Sequence, residues 1–199
     1  MSQITRDSLL TLEAYSKVRQ EFRARVMAHK QNRRVHMGEN VTLIFEDELT
    51  VRYQVQEMLR VEKIFDEAGI QDELDAYGPM VPDGSNWKAT MMIEYPDPGE
   101  RATRLSQMIG IEDTVWVKVD GFDPVYAIAD EDLDRENDVK TASVHFLRFE
   151  LSLEMIKALR QDAILSMGID HPAYTIPAAQ VSTEVCATLI QDLTADLSA

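Results

Sequence analysis

Three carboxylates, one imidazole and one guanidinium stand out for where the sequence pattern puts them: Glu57, Glu62, Glu94, His145 and Arg148. The first two fall in the stretch 52–68, RYQVQEMLRVEKIFDEA. Laid on a helix at roughly 100° per residue, Val51, Tyr53, Val55, Met58, Leu59, Val61, Ile64, Phe65 and Ala68 sweep about two-thirds of the circumference, too wide an arc for a surface helix. Gln54, Glu57 and Glu62 lie inside that arc, and Arg60, Lys63 and Glu67 take the narrow polar remainder. A carboxylate on a buried face needs a partner. Glu94 lies on a strand pattern over 89–95, and His145 and Arg148 lie on opposite faces along 144–151, so the five residues sit on elements rigid enough to hold a site.

Two carboxylates and an imidazole with open positions suit a non-haem iron or manganese site. With Arg148 added, the same residues suit a buried ion-pair network, since perturbed carboxylates occur in both settings. Helix geometry limits the metal reading, because residues five apart project roughly 140° from one another. One of Glu57 and Glu62, joined by Glu94 or His145, is the arrangement expected. The surrounded helix also predicts that Glu62 is buried with Arg148 as its counter-ion.

Other chemistries find no footing. There is no Walker loop, dinucleotide glycine fingerprint, H-E-x-x-H or E-x-x-H pair. Gly84-Ser85-Asn86 lacks the G-x-S-x-G of a nucleophile elbow. The acidic run at 130–136 fails as a calcium loop, with Arg135 where glycine is needed and Thr141 where the closing glutamate belongs. Cys186 is the one cysteine, which excludes an internal disulfide and a cysteine-rich zinc or iron–sulfur site.

The elements that must carry these residues read in order. Thr5 or Asp7 can cap a first helix whose stripe is Val18, Phe22, Val26 and His29. A turn at 38–40 leads to a buried strand at 41–45, and Glu46-Asp47-Glu48 opens the wide-arced helix, which Gly69 closes. A long connection over 70–87 follows. After it come the strand 89–95, a short helix over 100–109, and a hairpin from 115–119 and 125–128 around Asp120-Gly121. The strand 144–151, a helix over 153–167, a loop over 168–177 and a last amphipathic helix over 178–193 complete the chain. Strands joined by tight turns with helices unevenly interposed predict a single α+β domain. It would have about five mainly antiparallel strands, helices on the sheet and the 48–68 helix deeply buried.

The net charge of −15 argues against nucleic acid as a partner, since phosphate binding needs clustered cations. The charge is uneven. Residues 1–36 hold eight Lys/Arg against three acids, +5, which leaves −20 for the remainder. A basic helical segment beside an acidic body either docks on that body or captures an acidic partner. No apolar run approaches a membrane span, and the N-terminus MSQITRDSLL lacks a signal pattern, so a cytoplasmic location is expected.

Three blocks, HKQNRRVHMGENVTLIFEDELTVRYQVQEMLRVEKIF, DGSNWKATMMIEYPD and TASVHFLRFEL, resemble the bacterial family known as domain of unknown function 3501, with similarity along nearly the whole chain. The resemblance implies no catalytic residues. It implies a redox or peroxide-response setting, with an iron–sulfur or rubrerythrin-like protein as partner. Two functions follow as expectations: a non-catalytic accessory protein that binds such a partner, possible also as a homo-oligomer, or a small metal-binding protein or enzyme built on Glu57, Glu62, Glu94 and His145.

Overall fold

Alternation builds the centre of the molecule. In the computed structural model, which describes residues 4–129 and 140–195, β3 (Asn86–Ile93) turns Trp87, Ala89, Met91 and Ile93 inward, and β7 (Val144–Glu150) does the same with His145, Leu147 and Phe149. The two strands pair antiparallel with Met91 opposite His145 and Trp87 opposite Phe149. Together with β1 (Arg34–Met37), β2 (Val41–Phe45) and β6 (Ile128–Ala129) they form a five-stranded sheet in the order β1-β2-β3-β7-β6. A second antiparallel sheet has the order β5-β4-β8-β9, from β4 (Val115–Val119), β5 (Val125–Tyr126), β8 (Leu165–His171) and β9 (Tyr174–Gln180). Val115, Val117, Val119, Leu165, Met167 and Ile169 of this sheet share one apolar core with the inward face of the first.

Helices close that core. Leu105 of α4 (Pro98–Gln107), Ile156 and Leu159 of α5 (Leu153–Leu159), and Val185 and Leu189 of α6 (Thr183–Ile190) are buried in it. The fully buried Trp87 donates its indole N–H to the Leu189 carbonyl at 2.9 Å, tying α6 to β3. The fold is thus α+β with antiparallel sheets, with nine strands among the described residues where about five were expected. The hairpin at 115–126 is present, Trp116 opposite Tyr126. Residues 160–180 differ from expectation: α5 stops at Leu159, and Leu165–Gln180 is a β-hairpin rather than the end of a helix and a loop. The acidic run at 130–136 lies outside the described residues.

A second, smaller apolar cluster joins Leu9, Val51, Val55, Leu59, Ile70 and Leu74. It belongs to a helical layer of α1 (Leu12–Gln31), α2 (Glu48–Glu62) and α3 (Glu67–Tyr77). Asp47 opens α2 with a capping box: its carboxylate accepts the Thr50 N–H at 2.9 Å while the Thr50 hydroxyl accepts the Asp47 N–H at 2.8 Å. The helix is deeply buried along Thr50, Val51, Val55, Gln56 and Leu59 but not to its C-terminal end. Lys63, at φ 58°, turns the chain in the left-handed region, so α2 ends there and not at Gly69. Gly69 lies inside α3, a helix where a long connection was expected. The wide apolar arc is therefore shared by two helices, which leaves Val61 and Phe65 in solvent.

Candidate functional site

The structure does not bring Glu57, Glu62, Glu94, His145 and Arg148 together. Glu57 lies on the face of α2 that meets α1. Its Oε1 accepts from the Tyr15 hydroxyl at 2.7 Å and from Arg19 Nε at 2.8 Å, and its Oε2 accepts from Arg19 Nη2 at 2.8 Å. Arg60, one turn on, adds two longer bonds at 3.3 Å. The Arg19 hydrogen bonds outweigh the opposing effect of burial, and with Tyr15 and Arg60 they hold the Glu57 carboxyl down to about 2. Burial, reinforced by the Glu57 carboxylate, pushes the Tyr15 phenol well above its ordinary range. With its oxygens so occupied, Glu57 is a clamp between helices rather than a free base or an open ligand.

Glu62 is exposed, against the expectation that it is buried, because the helix turns away at Lys63. Arg148 is not its counter-ion. It pairs with Glu150 two residues along the same face of β7. Glu94 is also exposed, just past the end of β3. His145 is buried on the opposite face of β7 from Arg148, as strand alternation requires. Its Nε2 lies 2.9 Å from the Thr141 hydroxyl and 2.9 Å from the Ala142 carbonyl, and its Nδ1 is 3.8 Å from Glu112 Oε1. The carboxylate within reach of His145 is therefore Glu112, and neither Glu57 nor Glu62 contacts it. Among the described residues no group of three or more His, Cys, Asp or Glu side chains is placed to hold a metal ion.

The densest polar constellation is one that the sequence reading did not assemble. Arg33, only 1% exposed, follows α1 and donates Nε to the Phe45 carbonyl at 2.8 Å and Nη2 to the Glu46 carbonyl at 3.0 Å. Its guanidinium also forks onto the Asp192 carboxylate and lies 3.4 Å from Asp47 Oδ2. That same Asp47 oxygen is 2.5 Å from His29 Nε2, and Lys30 sits 3.9 Å from the buried Glu46, whose Oε1 accepts from Thr90 at 2.7 Å. Burial works to raise the Asp47 carboxyl, yet Arg33, the Thr50 N–H and His29 together hold it below the ordinary range. At Asp192 burial wins and pushes the carboxyl up against the pull of Arg33. A histidine oriented by a carboxylate is the start of a general-base pair. Among the described residues, however, no hydroxyl or thiol lies within hydrogen-bond distance of His29, and the constellation reads as a clasp joining α1, β2, α2 and the C-terminal residues.

These features define a class of protein: a two-sheet α+β sandwich with an ion-paired helical layer on one side. The chain matches the family model described as Protein of unknown function (DUF3501) over residues 3–193, and it belongs to that family. It is similar to a protein of unknown function from Burkholderia pseudomallei K96243, known from a crystal structure. The two share 57% sequence identity and a TM-score of 0.92, over 96% of this chain and 100% of that one. No curated protein matches.

Proposed function

We propose that this protein is a non-catalytic accessory protein of a cytoplasmic redox or peroxide-response system, and that it binds an iron–sulfur or rubrerythrin-like protein. The redox setting comes from the family resemblance. Binding as the mode of action is supported by one observation above the others: at the turn between α2 and α3, Val61 is 60% and Phe65 77% exposed on a well-defined helical corner. Large apolar side chains left in solvent on a fixed backbone are what an interaction site offers a partner. Arg19 and Lys30 of α1 and Arg33 just after it, meanwhile, are engaged by Glu57, Glu46 and Asp192 of the same chain. No helix among the described residues is long and apolar enough to cross a membrane.

The test is direct binding between the purified chain and purified iron–sulfur and rubrerythrin-like proteins from the same genome, followed by interferometry at two salt concentrations. Saturable binding to one of them, and not to an unrelated acidic protein, is the expected result. Failure of every such candidate to bind in either redox state would overturn the redox-partner reading.

A further inference from the structure

The α2–α3 corner is built, not frayed. The Ile64 N–H reaches the Leu59 carbonyl at 2.9 Å, and the Asp66 carboxylate caps α3 by accepting the Gly69 N–H at 2.9 Å. Ile64 folds back against the smaller core so closely that a Cβ on Gly69 would lie 2.7 Å from its Cγ2. The backbone thus fixes Val61 and Phe65 outward.

The charge around them is lopsided. Glu62, Asp66, Asp72 and Glu73 sit on this corner and the adjoining face of α3, against Lys63 alone. Arg60 is turned to Glu57, and Glu67 is taken by Arg6. Glu73 Oε2 is buried with no hydrogen-bond partner among the described residues. Burial, then the charges of Glu62 and Asp72, push the Glu73 carboxyl above its ordinary value. Like charges held together beside exposed apolar side chains are a local cost that a cation brought by another molecule removes.

We infer that this corner is the docking site for a basic segment with an apolar face, a cationic amphipathic helix on the partner, with Val61 and Phe65 as the apolar anchor and Glu62 and Glu73 facing its cations. This identifies the surface and partner chemistry of the binding function proposed above, and rests on it. Recognition of an amphipathic helix uses the same two parts, apolar contact and flanking charge. A chain of net charge −15 also draws a cationic partner more readily than an acidic one.

The probe is a short fluorescein-labelled amphipathic helical peptide of leucine and lysine, titrated by anisotropy against the full chain. Phe65→Ser, and Glu62→Lys combined with Glu73→Lys, should each weaken binding by about tenfold or more, as loss of an interface anchor does. Asp120→Lys with Asp123→Lys changes the net charge equally on the exposed turn after β4 and should leave the affinity within about twofold, the scatter of rim charges. Thermal melts confirm that each variant is folded. Equal binding by the corner variants, or equal binding of a leucine–glutamate peptide, overturns the inference, because generic attraction to an acidic body would then explain the data. So would a concentration-dependent dimer of the chain abolished by Phe65→Ser, since the occupant would then be a second copy. Peptide binding at the corner with no redox protein bound defeats the redox reading alone. A redox protein whose binding ignores Phe65→Ser defeats the corner alone.

Discussion

Glu57 shows how one residue can carry a functional-looking signature for a structural reason. Its carboxyl is lowered from 4.5 to about 2. A shift of that size corresponds to an upper bound of about 3 kcal/mol. Arg19 and Arg60 are 36% and 39% exposed, so screening brings the expected contribution to about 1–2 kcal/mol. Because the folded carboxyl is depressed, this stability is fully present above the ordinary value and disappears as pH falls from 4.5 to about 2. Glu57→Gln should therefore unfold at lower urea than wild type at neutral pH, with the gap closing toward the acid end. A gap that stays constant across that range would show that the clamp is not the source. Lys63 is the second telling residue. A non-glycine side chain at φ 58° costs roughly 1–2 kcal/mol, while glycine loses about 0.5–1 kcal/mol of chain entropy on folding. Lys63→Gly is expected to be neutral or to stabilise by up to about 1 kcal/mol. A fall in melting temperature would mean that the Lys63 side chain contributes at the corner after all.

Among the elements, the clasp around Arg33 joins the end of α1 to β2, the start of α2 and the C-terminal residues. Arg33→Met leaves Asp192 and two carbonyls without their donor, and a broken buried pair of this kind costs about 3–5 kcal/mol. Arg33→Lys keeps the charge and loses the fork, so about 1–3 kcal/mol is expected. In a double-mutant cycle with Asp192→Asn the two effects should be clearly less than additive; additive effects would mean that the pair is not coupled. Acid acts in opposite senses at the clasp, because Asp47 is lowered and Asp192 raised: protonating Asp47 removes stability and protonating Asp192 adds it. The sequence disclosed local elements of this kind and not the clasp itself. Alternation marked β3 and β7 correctly, down to His145, Leu147 and Phe149 facing one way. It could not reveal that Arg33 meets a residue 159 positions along the chain. The helix α3 escaped because Gly69 reads as a terminator, whereas Lys63 makes the turn. The β8–β9 hairpin escaped because Ile156, Leu159, Ala163 and Met167 keep a helical spacing through 167, which masks the alternation of Leu165, Met167 and Ile169 on the strand. Glu62 left the expected constellation for the same reason that α3 escaped: once α2 ends there, a residue expected to be surrounded lies in water.

The described residues form two apolar clusters of unequal size, and the dynamics of the molecule should follow them. The larger unites both sheets with α4, α5 and α6, while the smaller holds α2 and α3 together with Leu9. Between them runs the Arg33 clasp, while the paired hydrogen bonds of Gln56 with the Leu10 backbone at 2.9 and 3.1 Å tie α2 to the segment before α1 inside the smaller one. A small cluster joined by polar ties should open at lower free energy than a core sealed on two faces by sheets. Native-state hydrogen exchange should therefore find the amides of α3 and the last turn of α2 exchanging through a sub-global opening, with those of β3, β7, β4 and β8 requiring global unfolding. Arg33→Met should widen the difference by weakening a tie without touching either cluster. A docked basic segment at Val61 and Phe65 should narrow it, since a ligand that binds only the closed form stabilises that form. Identical opening free energies for α3 and β3 at all denaturant concentrations would mean that the two layers unfold as one, and the corner would then have no looser layer beneath it for a partner to tighten.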